Sequence, residues 1–338
     1  MKDAFLRIAK SPWAKGGLAI AILATLILFG RFDLSSLQVA MRSWPWLLAG
    51  LLVMLPPYAI VSLRFKIVLE SFELPVSLRD AVRWTMIGSF FDIAMPGSSG
   101  GDLVKIGYVT GHYGKGYRTK SVMAILVDRV AGLIGLFIIA FLACTLGWTT
   151  VSRLSNSRFL LFGLGLVCLG TVLAFLFLTW PRLAESSRMK QAIGAFPFGS
   201  KALGAYAAFA SLRRKKHYLA YVLMLSLANH LFWCSSILCI ARSTGLSVPI
   251  AQGFVIFPLA IFFNVFGFAG GFGVGTVSFG LLFTTLLGST SGTVVGLMYQ
   301  CLSVISRLGG LPFFLFTKAK TNESIARIRY LEETERSE

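Results

Sequence analysis

Residues 90–105 read FFDIAMPGSSGGDLVK, placing two aspartates, a lysine, a proline and three glycines in a short stretch. Pro-Gly and Gly-Gly steps end or unwind a helix, so this stretch decides whether the chain is a plain row of crossing helices or something more broken. Its surroundings are overwhelmingly apolar: 56% of the 338 residues are hydrophobic and 14% charged, where soluble domains carry about a quarter charged residues. Such a chain is an integral membrane protein. Its 29 Phe and 34 Gly suit lipid-facing surfaces and close helix packing.

Charge-free runs predict crossings at Gly16 to Gly30, Ser43 to Leu63, Val130 to Ser152, Phe159 to Pro181 and His217 to Ala241, since roughly 20 residues cross the hydrocarbon. The first is short and fits only if Lys15 snorkels. Ser243 to Ser306 then forms a 64-residue run without a charge, long enough for about three crossings. With the N-terminus inside, 25 of the 32 Lys and Arg fall on cytoplasmic segments, and only Arg31, Arg42, Arg153, Arg158 and Arg242 fall outside. The positive-inside rule therefore predicts that both termini are cytoplasmic.

The formal charge of +18 is then mostly topology, with contact to anionic lipid at the cytoplasmic face added. No aromatic-studded basic groove lies outside the membrane, so nucleic acid is not an expected partner. The five Cys sit in apolar stretches without CxxC spacing, which indicates neither a disulfide framework nor a zinc site. RFDLSS, after Gly30, offers no A-x-A cleavage signal, so the first helix is read as uncleaved.

FGFAGGFGVG, Phe266 to Gly275, breaks the long run. The pieces on either side are each too short to span. They predict a re-entrant hairpin over 251–287 entering from outside, followed by one crossing from about Thr293 to Phe316. FFDIAMPGSSGG and FFNVFGFAGG share a pattern: a Phe pair, an acid or amide, apolar residues, then a Gly-Gly break. The first lies between a helix ending inside at Arg64 and one starting inside at Lys120, which predicts a hairpin over 77–118 entering from the cytoplasm.

The expected fold is an all-α polytopic membrane protein with about six full transmembrane helices and two re-entrant hairpins in an inverted repeat. Residues 1–150 form the first half, 151–317 the second, and 318–338 a short charged tail. Inverted repeats of broken helices meeting near the midplane are a transporter architecture, and irregular backbone at membrane depth survives only where it is buried in protein or lines a wet cavity. Ordinary loops between full crossings are the open alternative. Against it, a loop at Phe266 to Gly275 would face the cytoplasm without one Lys or Arg.

Ionisable groups inside membrane spans are costly and point to function. The candidates are Asp92, Asp102, Lys105, Asp128, Arg129 and Arg307. As sequence neighbours on a helix, Asp128 and Arg129 point about 100° apart, and Asp128 is expected to pair with Arg307 across helices. That pair reads either as a structural lock or as part of an anion site built by the arginines. After the Pro96-Gly97 and Gly100-Gly101 breaks, a helix starting near Asp102 would present free N–H groups to an anion, unless Asp102 is simply its N-cap. Asp92 is expected in mid-helix without a capping role, free to exchange a proton or hold a cation. Asn264, its counterpart beside Gly270 and Gly271, cannot titrate. Asn229 and His230, in the fifth span, read as interhelical hydrogen bonding or as a proton relay.

No Walker, HExxH, GxSxG or dinucleotide pattern is present. No catalytic set, metal or cofactor is therefore expected, and the chain is not read as an enzyme.

Taken in order, PGSSGGDLVK after FFD, VDRVAGLIGL (Val127 to Leu136), GGFGVG and RLGGLPF (Arg307 to Phe313) resemble the flippase-like membrane region of lysylphosphatidylglycerol synthases and their stand-alone relatives. The family's first motif resembles N-x-x-x-P-G-x-x-G-G-D-x-x-R. It falls here on Asp92, Pro96, Gly97, Gly100, Gly101, Asp102 and Lys105, with Asp92 in place of an amide and Lys105 in place of an arginine. The second motif departs further, with Gly267-Phe268 where the family commonly has a proline and Thr276 where it has a glutamate. Bifunctional members carry a soluble aminoacyl-transfer domain after the membrane region. Only about 20 residues follow the last span here, so lipid aminoacylation is not carried over.

The resemblance implies movement of a membrane phospholipid or lipid-linked substrate between leaflets without ATP. Two alternatives stay open. One is a non-transporting partner of a lipid-synthesis enzyme, docking through Arg213-Arg214-Lys215-Lys216, a run that also fits stop-transfer charge touching anionic lipid. The other is a small-solute secondary transporter.

Overall fold

The computed structural model describes residues 34–93, 100–154, 156–178, 216–264 and 273–317. The predicted first crossing, the 318–338 tail, Arg213 to Lys215, and Pro96, Gly97, Gly270 and Gly271 lie outside the described residues. Every regular element among the described residues is helical.

The chain begins with α1 (Leu34–Arg42), α2 (Trp44–Val53) and α3 (Pro56–Ser71). The last two form one apolar stretch, Trp44–Ser71, long enough to cross a membrane and bent where Pro56 and Pro57 remove backbone donors. Next come α4 (Leu78–Phe91) and α5 (Gly100–Tyr113), which pack against each other. Ser77 caps α4, its hydroxyl accepting from the Asp80 N–H at 3.1 Å. A 29-residue helix, α6 (Arg118–Leu146), leads through the short α7 (Trp148–Val151) to α8 (Ser157–Leu178). After α9 (Lys216–Ser243) a second packed pair follows, α10 (Ile250–Asn264) and α11 (Val274–Leu282), the latter extended by a π-helical turn at Phe283–Leu287. Last is α12 (Gly292–Leu308), continuing as the apolar stretch Gly292–Thr317.

Among the described residues, four helices are long and apolar enough to cross a membrane: Trp44–Ser71, Arg118–Leu146, Ala220–Ser243 and Gly292–Thr317. The helices of the two packed pairs hold 14 residues (α4, α5), 15 (α10) and 9 plus the 5-residue π turn (α11). At 1.5 Å per residue each is about 21 to 23 Å long, short of the roughly 30 Å hydrocarbon thickness.

Side-chain contacts define two ends of the bundle. At one, Lys120 bonds Glu73 at 2.9 Å, Tyr113 donates to the Pro75 carbonyl, and Arg83 donates to the Thr317 hydroxyl at 2.9 Å. At the other, Ser36 meets Ser291 at 3.1 Å, Gln252 donates to the Thr150 carbonyl at 2.9 Å, and Arg242 lies 5.2 Å over the Trp46 ring. The α4/α5 pair opens from the first end and the α10/α11 pair from the second, so the two pairs run in opposite directions.

Each end has its own apolar core. Phe65, Val68, Leu69, Leu74, Trp84 and Ile125 pack at the first, and Met54, Ile237, Ile240, Phe257, Phe279 and Phe283 at the second. Two helices, α6 and α9, serve both cores. α6 gives Ala124 and Ile125 to one and Ala140 and Cys144 to the other, with Asp128, Arg129 and Gly132 between. A polar seam separates two dry layers. Small residues let the helices close around it: a Cβ on Gly135 would stand 2.6 Å from the Ser226 Cβ, so α6 and α9 touch there almost backbone to backbone.

Candidate functional site

The seam holds a cavity of about 300 Å³. Arg64, Asp92, Asp102, Lys105, Asp128, Arg129 and Arg307 all line it, together with Tyr58, Asn229, His230, Asn264 and Tyr299. Six of these were named from sequence as deep charges, and the fold gathers all six around one space. They come from α4, α5, α6 and α12: α6 passes from one apolar core to the other, whereas α4 and α5 pack in the first core and α12 in the second, each bringing its charge to the core's inner edge.

The seventh charge, Arg64, was assigned from sequence to a cytoplasmic loop after a span ending at Leu63. Instead α3 continues to Ser71, and Arg64 is buried at 5% exposure. The apolar spacing of Phe65, Val68 and Leu69 is the signal that the helix runs on. Arg64 also overturns the expected Asp128–Arg307 pair. Its Nε donates to Asp128 Oδ1 at 2.7 Å and its Nη2 to Oδ2 at 3.1 Å, a fork that occupies both carboxylate oxygens. A third donor, Nη1, reaches the Ser226 hydroxyl at 3.1 Å. The physical reason is facing: Asp128 lies on the side of α6 that packs against α3 and α9.

Arg129 points elsewhere, as the helical geometry requires. Its Nε donates to Asp102 Oδ2 at 2.7 Å, and its Nη2 stands 4.0 Å from Asp92 Oδ1. Asp102 is the third residue of α5 and lies in its first turn, where a carboxylate suits the helix dipole.

Asp92 is also corrected. It terminates α4 rather than sitting in mid-helix, and its Oδ1 accepts the Gly101 N–H at 2.8 Å, so it caps the start of α5. One of the N–H groups expected there for an anion, that of Gly101, is therefore already taken. Close contact locks this tip: a Cβ on Gly101 would lie 2.6 Å from the Gly88 carbonyl oxygen and 2.9 Å from the Asp92 carboxylate. Asn264 is the last residue of α10. Its Oδ1 accepts from Gln300 Nε2 on α12, and it lies so tightly on Gly275 that a Cβ there would overlap its oxygen.

Lys105 is buried at 8% exposure, its ammonium 4.7 Å from the centroid of the Phe65 ring. No salt bridge to Lys105 or Arg307 forms among the described residues. Arg307 Nη1 is buried without a hydrogen-bond partner, as are Asn229 Oδ1, His230 Nδ1 and Thr85 Oγ1. The other nitrogen of His230, Nε2, meets the Gly132 carbonyl at 2.9 Å across helices. Tyr58, which sequence reading passed over, binds the Ser306 hydroxyl at 2.8 Å beside Arg307. It looked like one more aromatic in an apolar run, and only its facing marks it. No group of His, Cys, Asp and Glu among the described residues has the arrangement to hold a metal ion.

The fold and cavity define a class: a polytopic helical membrane protein with a charged internal chamber between two oppositely directed pairs of short helices. Within it, the chain belongs to the lysylphosphatidylglycerol synthase transmembrane-region family, whose model matches residues 16–308. No curated protein and no solved structure matches the chain.

Proposed function

We propose that this protein moves a phospholipid or lipid-linked intermediate between the leaflets of the bacterial cytoplasmic membrane, without ATP hydrolysis and without covalent chemistry. One observation carries the reading: seven ionisable side chains converge on one chamber between the tips of two opposed helix pairs. In this reading the pairs are re-entrant hairpins of an inverted repeat, α4/α5 entering from the cytoplasm and α10/α11 from outside, with both termini cytoplasmic. The basic residues near the first end, among them Arg79, Arg83, Arg118 and Lys120, support that orientation. The head group enters the chamber and the acyl chains stay in lipid. Desolvating a charged head group makes unassisted crossing slow, and a hydrogen-bonding path lowers that barrier.

The test is leaflet exchange of fluorescent phospholipids in reconstituted vesicles. The parent protein should accelerate exchange. Asp92→Ala, Asp102→Ala and Arg307→Ala, each checked for retained folding by size-exclusion profile, should lose most of that gain. A parent no faster than empty vesicles across several lipid classes overturns the reading and favours a partner of a lipid-synthesis enzyme. Vesicles that pass a small polar solute and no lipid favour a secondary transporter.

A further inference from the structure

A second cavity, of about 610 Å³, lies on another side of the α4/α5 pair from the chamber, and no residue lines both. On α5 the chamber takes Gly101, Asp102 and Lys105, while the second cavity takes Val104, Gly107 and Gly111 from a neighbouring stripe. On α4 the chamber's Thr85, Ser89 and Asp92 stand nearly opposite the second cavity's Arg83, Trp84 and Phe91. Phe314, on the stretch that continues α12, closes the far end, its ring centroid 5.2 Å from that of Phe91.

The cavity is a groove with a polarity gradient. α4 and α5 run antiparallel, with Trp84 beside Tyr108 and His112, and Asp92 beside Gly101. Asp80, Arg83 and His112 therefore gather at the first end of the bundle, and Phe91, Val104 and Phe314 lie deeper. Arg83 and Phe91 are about 12 Å apart along the helix at 1.5 Å per residue. Between them the floor is open, because a Cβ on Gly107 or Gly111 would meet nothing within 4 Å.

The mouth carries one charge of each sign, and each keeps an unused face. Arg83 donates Nε to the Thr317 hydroxyl at 2.9 Å, while its Nη1 stands 3.6 Å from Asp80 Oδ1, too far for a hydrogen bond. Neither Nη group makes a hydrogen bond among the described residues. Asp80 Oδ2 accepts from the Ser77 hydroxyl at 2.7 Å, and Oδ1 has only the long contact to Arg83. The two side chains are 35% and 32% exposed, so a ligand can reach both.

We infer that this groove binds a zwitterionic glycerophospholipid of the leaflet at the first end, at a site separate from the chamber. The phosphate lies at the Arg83 Nη groups and the ammonium at Asp80 Oδ1. One acyl chain runs over Gly107 and Gly111 toward Phe91 and Phe314. A purely anionic lipid leaves Asp80 facing a phosphate without a counter-charge, and a free head group leaves the apolar floor uncovered. The volume is that of an ordinary ligand site. The inference needs the membrane but not lipid translocation.

Photo-labelling of the full-length protein tests it, in vesicles of equal phosphatidylethanolamine and phosphatidylglycerol. A trace of either lipid carries a diazirine on one acyl chain, and labelled peptides are read by mass spectrometry. Label should concentrate between Val104 and Gly111 and at Phe314. The ethanolamine probe should exceed the glycerol probe there by about 2- to 5-fold, the scale of a partly exposed charge pair. Arg83→Gln should lower labelling by both probes, and Asp80→Asn should abolish the ethanolamine preference while the glycerol probe still labels. Gly107→Leu, which fills the floor away from the head-group residues, should remove both. Each variant is checked for folding by its size-exclusion profile.

Label spread evenly over α5 and the exposed apolar face of α8 means bulk lipid only and overturns the inference. So does equal labelling by the two probes, a preference for the glycerol probe, or labelling unchanged by both Arg83→Gln and Gly107→Leu. Labelling that appears only after removal of residues 318–338 overturns it too, since the groove then belongs to the chain's own tail. None of these outcomes bears on leaflet exchange, which is measured separately.

Discussion

Arg64 and Asp128 form the most buried ion pair described, with side chains 6% and 7% exposed. Removing one member strands the other charge, whereas replacing both with apolar residues removes the penalty together with the pair. Arg64→Met alone should therefore destabilise the protein by about 3–5 kcal/mol, and Arg64→Met with Asp128→Leu should recover most of that loss. Thermal unfolding of the three proteins in detergent checks this, and additive losses in the double variant would show that the two side chains are not coupled. Sequence reading placed Asp128, Arg129 and Arg307 deep in the membrane because an isolated charge in an apolar run is visible in one dimension. It could not assign their partners. Whether Asp128 meets Arg64 or Arg307 depends on how α3, α6 and α12 are rotated against one another, and that rotation is set by contacts such as Gly135 on Ser226, far apart in the chain.

The two short helix pairs owe their tips to single glycines used for close approach. Gly275→Ala puts a methyl group onto the Asn264 oxygen and 2.6 Å from Gln300 Nε2, so it should break that hydrogen bond and cost about 1–3 kcal/mol. Gly107→Ala on α5 meets nothing within 4 Å and should be neutral or stabilising by up to about 1 kcal/mol through helix propensity. Unfolding midpoints of the two variants should therefore move in opposite directions, and equal losses would mean that packing at the second tip is not what Gly275 serves. The pairs themselves were legible, because Gly-Gly breaks cut apolar runs into pieces too short to span. Less legible was what closes each tip: Asp92 was read as a mid-helix acid because the end of α4 cannot be told from an interior turn when the residues around it are apolar.

Across the described residues two apolar cores flank one polar seam, and the seam charges arrive on several helices. This has a consequence for how the chain is made. Arg64 leaves the ribosome 64 residues before Asp128. At roughly 5 to 20 residues per second the Trp44–Ser71 segment waits about 3 to 13 seconds with an unpaired guanidinium, worth about 2.5–3.5 kcal/mol against insertion at a helix centre. A nascent chain arrested before Asp128 should insert that segment less completely than its Arg64→Leu counterpart, as read by protease protection. Arrest after Leu146 should erase the difference. If it does, the membrane commitment of an early segment is settled by one that has not yet been synthesised when the early segment meets the bilayer.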